Sequence, residues 1–184
     1  MANCKLAQNI LKENVCGYSL MKVIDIYLAN YGDINFAPSE NEITAITTAV
    51  TGASVYHVEP SKDSASFTDE LQVTDGGAKY RTHTLNFSID SGNYDKDLAQ
   101  VVDDLSLGRY TAVAKLASSK DPIYVVLGRV TPLEATSANV SGAASATEAS
   151  AIQVVMTSDT TETVLPLSSA AITSLLALVP ASNG

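Results

Sequence analysis

The side chains able to do acid, base or nucleophilic chemistry are few and scattered: two histidines, His57 and His83, and two cysteines, Cys4 and Cys16, among 184 residues. A nucleophile needs its base within hydrogen-bond reach, and Cys16 is the one thiol we would set beside these histidines. A histidine in mid-strand is more often hydrogen-bonded or half exposed than catalytic. A small hydrolase built from His57, His83 and Cys16 is therefore the reading the residues support least, and we expect no catalytic residue. Ser19-Leu20-Met21-Lys22 matches SxxK, but no SDN or KTG accompanies it. GxGxxG, GxxxxGK[ST], HExxH and GxSxG do not occur.

The cysteines form no CxxC pair and have no nearby histidine, so we expect buried or reduced thiols and no metal. Asp95, Asp97, Asp103 and Asp104 fit a solvated, dipole-matched helix face, and no EF-hand spacing points to calcium. No cofactor is expected. Residues 1–21 lack the apolar core and cleavage site of a secretory signal, and no run approaches the roughly 18 apolar residues of a membrane span. A soluble protein made in the cytoplasm is the expectation, and the sequons at Asn86 and Asn139 then carry little meaning.

The stretch that must organise such a chain is residues 64–90. Ala65, Phe67, Leu71 and Val73 alternate with Ser64, Ser66, Thr68, Glu70 and Gln72, the period of a half-buried strand, and Leu85, Phe87 and Ile89 alternate with Asn86 and Ser88 in a second. Asp75-Gly76-Gly77 supplies the reversal. A two-residue loop would set Ser66 against Leu85 and mix the faces, whereas a three-residue loop closed by a bulge at Gly77 sets Phe67 against Leu85. That register puts His83 opposite Asp69, favouring a structural ion pair. It also makes the other face neutral-polar: Ser64, Ser66, Thr68, Glu70 and Gln72 against Thr82, Thr84, Asn86 and Ser88, with Tyr80 its one aromatic. Such a face is either an ordinary solvated surface or one that avoids gripping something.

Elsewhere, residues 3–13 suit a short helix or an arm that orders against another subunit. Strands are expected over residues 22–30, 42–50, 54–59, 109–117 and 123–130. Tyr94, Leu98, Val101, Val102 and Leu105 predict a helix over 94–107, with Asn93 as cap, Asp95 and Asp97 in its first turn and Gly108 as terminator. Residues 131–150 hold little but small and polar residues and read as a mobile or interface loop. Residues 152–157 and 162–167 read as a closing hairpin, and 170–179 as a short apolar tail that suits a helix. The sum is about nine strands and one confident helix.

One domain spans 1–184, with an arm over 1–20, the loop over 131–150 and a tail over 168–184. The net charge of −9, from 20 acidic and 11 basic residues, disfavours a surface that grips nucleic acid. The chain could still border DNA that it must repel.

The order of elements, an arm, KVIDIYLANYGDI, the hairpin SASFTDELQVTDGGAKYRTHTLNFSI, one amphipathic helix and YVVLGRVTPLEATSANVSGAASATEASAIQVVMT, resembles the major tail tube proteins of long-tailed, siphovirus-like bacteriophages. The likeness covers residues 20–167 and is strongest to phages of gut Bacteroidetes. It implies a mainly β subunit, a β-sandwich with one flanking α-helix, whose inner strands join a multi-subunit β-barrel. It also implies six subunits per ring and rings stacked helically into a virion tube that conducts DNA at ejection without binding it specifically. The implied partners are further copies of itself and the tape-measure, terminator and distal tail proteins, with no membrane. On this reading Ser64, Ser66, Thr68, Glu70, Gln72, Thr82, Thr84, Asn86 and Ser88 face the lumen. Ring closure would use the edge strands, and the tails and the 131–150 loop would join rings. A neck, tail-completion or head-decoration protein would share the β-rich, motif-free character.

Overall fold

The computed structural model describes residues 22–90, 94–118, 121–142 and 151–180. The chain enters the fold at β1 (Val23–Asn30), followed by the hairpin of β2 (Ile34–Ser39) and β3 (Glu42–Thr48) and by β4 (Val55–Val58). The central hairpin is β5 (Ser66–Val73) and β6 (Lys79–Asp90), and α1 (Lys96–Leu107) leads into β7 (Arg109–Leu116). β8 (Ile123–Leu127), β9 (Leu133–Ser141), β10 (Ala151–Thr160), the two-residue β11 (Leu165–Pro166) and α2 (Ser169–Ala177) complete the order. The protein is mainly β, as its strand-rich composition predicts.

Nine strands form one hydrogen-bonded sheet in the order β11-β8-β7-β9-β10-β6-β5, with β1 on the other edge of β7 and β4 beyond it. The sheet folds over because β7 changes partner along its length. Arg109 and Tyr110 pair with Glu134 and Leu133 of β9, while Ala112 to Leu116 pair with β8. Leu85, Phe87, Ile152, Val154 and Met156 from one half then meet Ile26, Leu28, Ala112, Ala114 and Leu127 from the other. Each such large side chain removed from water contributes about 1.5–3 kcal/mol.

The opposite face of β1, β7 and β8 is also buried. Tyr27, Ala29, Val113, Tyr124 and Val126 pack against Ile34, Phe36, Ile43 and Ile46 of the β2–β3 hairpin and against Ala171 and Leu175 of α2. β1 and β7 thus lie between two apolar layers, which explains their near-continuous apolar sequences.

The central register is the one the alternation predicts: Phe67 pairs with Leu85, Thr68 with Thr84 and Asp69 with His83. The Thr74 amide donates to the Ala78 carbonyl at 2.9 Å, and Gly77 sits at φ +79° within the three-residue reversal. The outer half of the hairpin departs from expectation, because Leu71 and Val73 project past the sandwich and are more than half exposed.

Several expectations need correction. Residues 131–150 are not a loop throughout, since β9 takes Leu133–Ser141. Its small residues contribute little apolar driving force, and the ladder to β10, running from Glu134–Thr157 to Ser141–Ala151, holds it instead. The expected hairpin of 152–157 with 162–167 does not form, because β10 runs on to Thr160 between β6 and β9, and β11 pairs with β8. β2 was not anticipated, and the tail is the helix α2. The expected cap Asn93 lies outside the described residues. Asp95 caps α1, accepting from the amides of Asp97 at 3.1 Å and Leu98 at 2.9 Å. α1 buries Val102 and Leu105, leaving Tyr94 and Val101 exposed.

Gly108 ends α1 in extended backbone, not in the left-handed turn its identity suggests. It is glycine because the Tyr110 hydroxyl passes over it to donate to the Asp104 carbonyl, leaving no room for a Cβ. Gly128, where the chain turns between β8 and β9, has φ +71°, and a Cβ there would stand 2.9 Å from Leu133 Cγ and 3.0 Å from the Tyr110 carbonyl. Gly128→Ala combines backbone strain with that collision, and urea unfolding should show a loss of about 2–4 kcal/mol. Gly52→Ala, at φ +83° with open space around it, should lose only the strain, about 1 kcal/mol.

Candidate functional site: a cation-free sheet face

Residues opposite one another in an antiparallel ladder share a face, so the pairings of β5, β6, β10 and β9 define one continuous outer surface. Ser66, Thr68, Glu70 and Gln72 stand beside Tyr80, Thr82, Thr84, Asn86 and Ser88. Next to these come Gln153, Val155, Thr157 and Asp159 of β10, then Glu134, Ser137, Asn139 and Ser141 of β9. Ser66, Thr68, Glu70 and Asn86 are exposed, while Gln72, Thr82, Thr84 and Ser88 are partly covered by their neighbours. The Thr82 hydroxyl donates to Asp159 at 2.7 Å.

Ser64 lies just before β5. Its hydroxyl donates to the Ser61 carbonyl at 2.7 Å and accepts from the Ser88 amide at 3.2 Å, so it anchors the hairpin base.

No lysine or arginine occupies an outward position in these four strands; their two cations, Lys79 and Arg81, lie on the other parity. The outward charges are Glu70, Asp90, Asp159 and Glu134. At the far margin Arg109 pairs with Glu134, its Nε 2.9 Å from the carboxylate. β10 and β9 extend the face beyond what we read from the sequence. The signal was the alternation of Ile152, Val154 and Met156 with Gln153, Val155 and Thr157, whose outer face becomes part of this surface only once β10 is paired with β6.

Behind the face, the hairpin is fastened by partly buried charge. Asp69 accepts from Arg81 Nε at 2.5 Å, from the Thr163 hydroxyl at 2.7 Å and from the Val164 amide at 3.1 Å. Arg129 grips Glu162 through two nitrogens. His83 Nε2 lies 3.1 Å from the Glu162 carbonyl and 3.6 Å from Asp69. A carbonyl only accepts, so Nε2 carries the proton, and the buried Nδ1 has no partner among the described residues. The expected pairing of His83 with Asp69 is present, but Arg81 is the closer cation. Burial pushes the Asp69 carboxyl up, and Arg81, Thr163 and the Val164 amide outweigh it, leaving Asp69 below the usual carboxylate range. Burial pushes His83 down, opposed in part by Asp69 and the Glu162 carbonyl.

His57 belongs to a separate cluster. It stacks on Tyr27 with ring centroids 4.9 Å apart, and its Nε2 lies 3.1 Å from Asp25, which also accepts from Lys115 at 2.7 Å. β4 and β6 are not neighbours in the sheet, so the structure does not bring the two histidines together. Cys4 and Cys16 lie outside the described residues. Among the described residues no group of three or more His, Cys, Asp or Glu side chains is placed to hold a metal ion, and no helix is long and apolar enough to cross a membrane.

Because the folded-state pKa of His83 lies below its unfolded value, the unfolded chain takes up the proton first. His83 therefore costs no stability above about pH 6.5, and stability falls as pH drops below it, by up to about 1.4 kcal/mol per pH unit. The contribution of Asp69, whose carboxyl is depressed, persists until pH falls below about 4. Chemical unfolding from pH 7 to pH 5 should show the first decline in the native chain and a flatter profile in His83→Gln. No protein-family profile matches the chain, and no curated protein or solved structure is significantly similar to it.

Proposed function

We propose that this protein is a structural virion subunit, a tail tube protein whose copies close into hexameric rings and stack into a conduit for DNA. The observation that carries the reading is the outer face of β5, β6, β10 and β9: four strands wide, lined by hydroxyl and amide groups, its free charge acidic. A polyanion next to such a wall meets like charge and bound water and finds no cation to pair with, so it slides without being held. The nine residues from Ser64 to Ser88 assigned to the lumen belong to this wall or, in the case of Ser64, to its anchor.

The second support is the open edge. β5 ends the sheet, and among the described residues no strand lies beside its outward backbone groups. Leu71 and Val73 are more than half exposed on the overhanging part of the same hairpin. An unpaired edge next to exposed aliphatics favours another strand, and a ring of identical subunits supplies one at every edge. In the assembled tail, the terminator, tape-measure and distal tail proteins would be its further partners.

Electron microscopy of the concentrated protein should show stacked rings or tubes. Discrete particles that never stack would favour a neck, tail-completion or head-decoration role instead. Leu71→Asp combined with Val73→Asp should abolish the tubes while changing the unfolding midpoint of the isolated subunit by less than about 0.5 kcal/mol, since both sites are exposed. In a phage that carries this protein, Glu70→Lys should hinder DNA ejection more than tube assembly; equal loss of both would count against the lumen assignment.

A further inference from the structure

On the flank of the sandwich, between the edge of β4 and the outer side of α1, runs an apolar groove of about 700 Å³. Leu28, Tyr56, Val58, Ile89, Val101 and Leu107 line it, with Asp104 among them. Leu107 is 86% exposed and Tyr56 53%, so the groove leaves large apolar side chains open to water. It accounts for a discrepancy in α1, whose apolar stripe is wider than the part that the core buries. Val101 and Leu107 are left exposed by the described residues.

The occupant follows from what the remaining chain contains. Residues 91–93, 119–120, 143–150 and 181–184 hold no branched aliphatic or aromatic side chain. Residues 1–21 hold Leu6, Ile10, Leu11, Val15, Tyr18 and Leu20, and two lysines, Lys5 and Lys12, against the single acid Glu13. That basic excess, in a chain of net charge −9, faces a groove walled by a helix bearing Asp97, Asp103 and Asp104 against one lysine, Lys96.

The reach also fits. Lys22 is fixed at the start of β1, where its carbonyl accepts from the Ala117 amide at 2.7 Å. β4 covers β1 only from Ile26 to Ala29, so among the described residues none pairs with 23–25 on that edge. From Lys22 to Leu28 along the strand is about 20 Å, and ten residues of extended chain span up to about 35 Å. Residues 12–21 are therefore long enough for Leu6 to Leu11 to reach the groove of their own molecule.

We propose that the segment around Leu6, Ile10 and Leu11 docks in cis into the groove between α1 and β4, its aliphatics on Val101, Leu107 and Tyr56 and its lysines toward the acids of α1. An intramolecular tether supplies an effective concentration in the millimolar range, so a modest apolar contact is enough to keep the segment seated. This inference stands independently of the tube reading, since it concerns the flank of one subunit.

The native cysteines make it testable in the full chain. Val101→Cys combined with Cys16→Ser leaves Cys4 as the only partner thiol, and mild oxidation should yield a product of monomer mass whose peptide map joins residues 4 and 101. Glu42→Cys, exposed on β3, in the same background should yield none. In the otherwise native chain, Cys4 should react with a thiol reagent at least tenfold more slowly than in a Leu6→Asp, Ile10→Asp variant, which leaves the described core untouched. A crosslink that joins two copies, absence of the 4–101 crosslink, or labelling rates within twofold of each other would overturn the proposal.

Discussion

Burial of β1 and β7 on both faces is the constraint on which the rest of the fold depends. Ile26 and Leu28 point one way, Tyr27 and Ala29 the other, and all four are at most 6% exposed. Neither set can be satisfied by a single packed sheet. The β2–β3 hairpin with α2 must cover one side, and the folded-over half carrying β6 and β10 must cover the other. The fold-over in turn requires β7 to exchange β8 for β9 partway along, and the turn at Gly128 is where that exchange becomes sterically possible. Once β9 and β10 are laid over the first half, their apolar positions are committed inward, and the polar residues between them are committed to the solvent face by the pleat alone. The wall is thus a by-product of closing the core.

The distribution of charge reinforces that geometry. Lys22, Arg81, Arg109, Lys115 and Arg129 each sit in an ion pair with a carboxylate of this chain. Two of these pairs, Arg81 with Asp69 and Arg129 with Glu162, are also the fastening of the hairpin to the segment after β10. A partly buried ion pair is weak evidence for net stability, because desolvation offsets the attraction, but it discriminates strongly against arrangements that leave either charge alone. The network therefore specifies the hairpin's placement more than it strengthens it. It also leaves these cations paired within the chain, while Glu70, Asp90 and Asp159 remain on the outer face.

What the sequence disclosed follows the same physics. The hairpin register was readable because a slip by one residue would have set Ser66 against Leu85, and the loop type because Asp75-Gly76-Gly77 tolerates the backbone angles the reversal needs. Helix α1 was readable from its spacing, although the spacing could not tell which apolar positions the core would take and which the flank. β9 was hidden because Ala135, Ser137, Ala138 and Asn139 carry almost no apolar signal; the neighbouring strand's backbone makes it a strand. The fastening of Asp69 was hidden because Thr163 and Val164 lie more than ninety residues away, and nothing local marks a carboxylate within a strand as the future partner of a distant amide. The full width of the wall was missed for a related reason, since the pairing of β10 with β6 is non-local.

The two unsatisfied regions of the surface differ in kind, and the difference bears on how copies of the chain would meet. At β5 the unmet groups are backbone donors and acceptors along a strand edge, with Leu71 and Val73 beside them. Such an edge is directional, and what completes it is another strand in register. At the groove beside α1 the unmet groups are exposed side chains together with the short free edge of the four-residue β4, and the α2 end already reaches part of that edge, the Val55 amide donating to the Leu178 carbonyl at 3.0 Å. A surface of that second type has little directional demand and accepts any apolar segment of suitable shape. The strand edge is therefore the one able to set the geometry of an assembly, because its ladder fixes spacing and direction at once, whereas the groove can be filled by the chain's own residues without dictating where a neighbour sits.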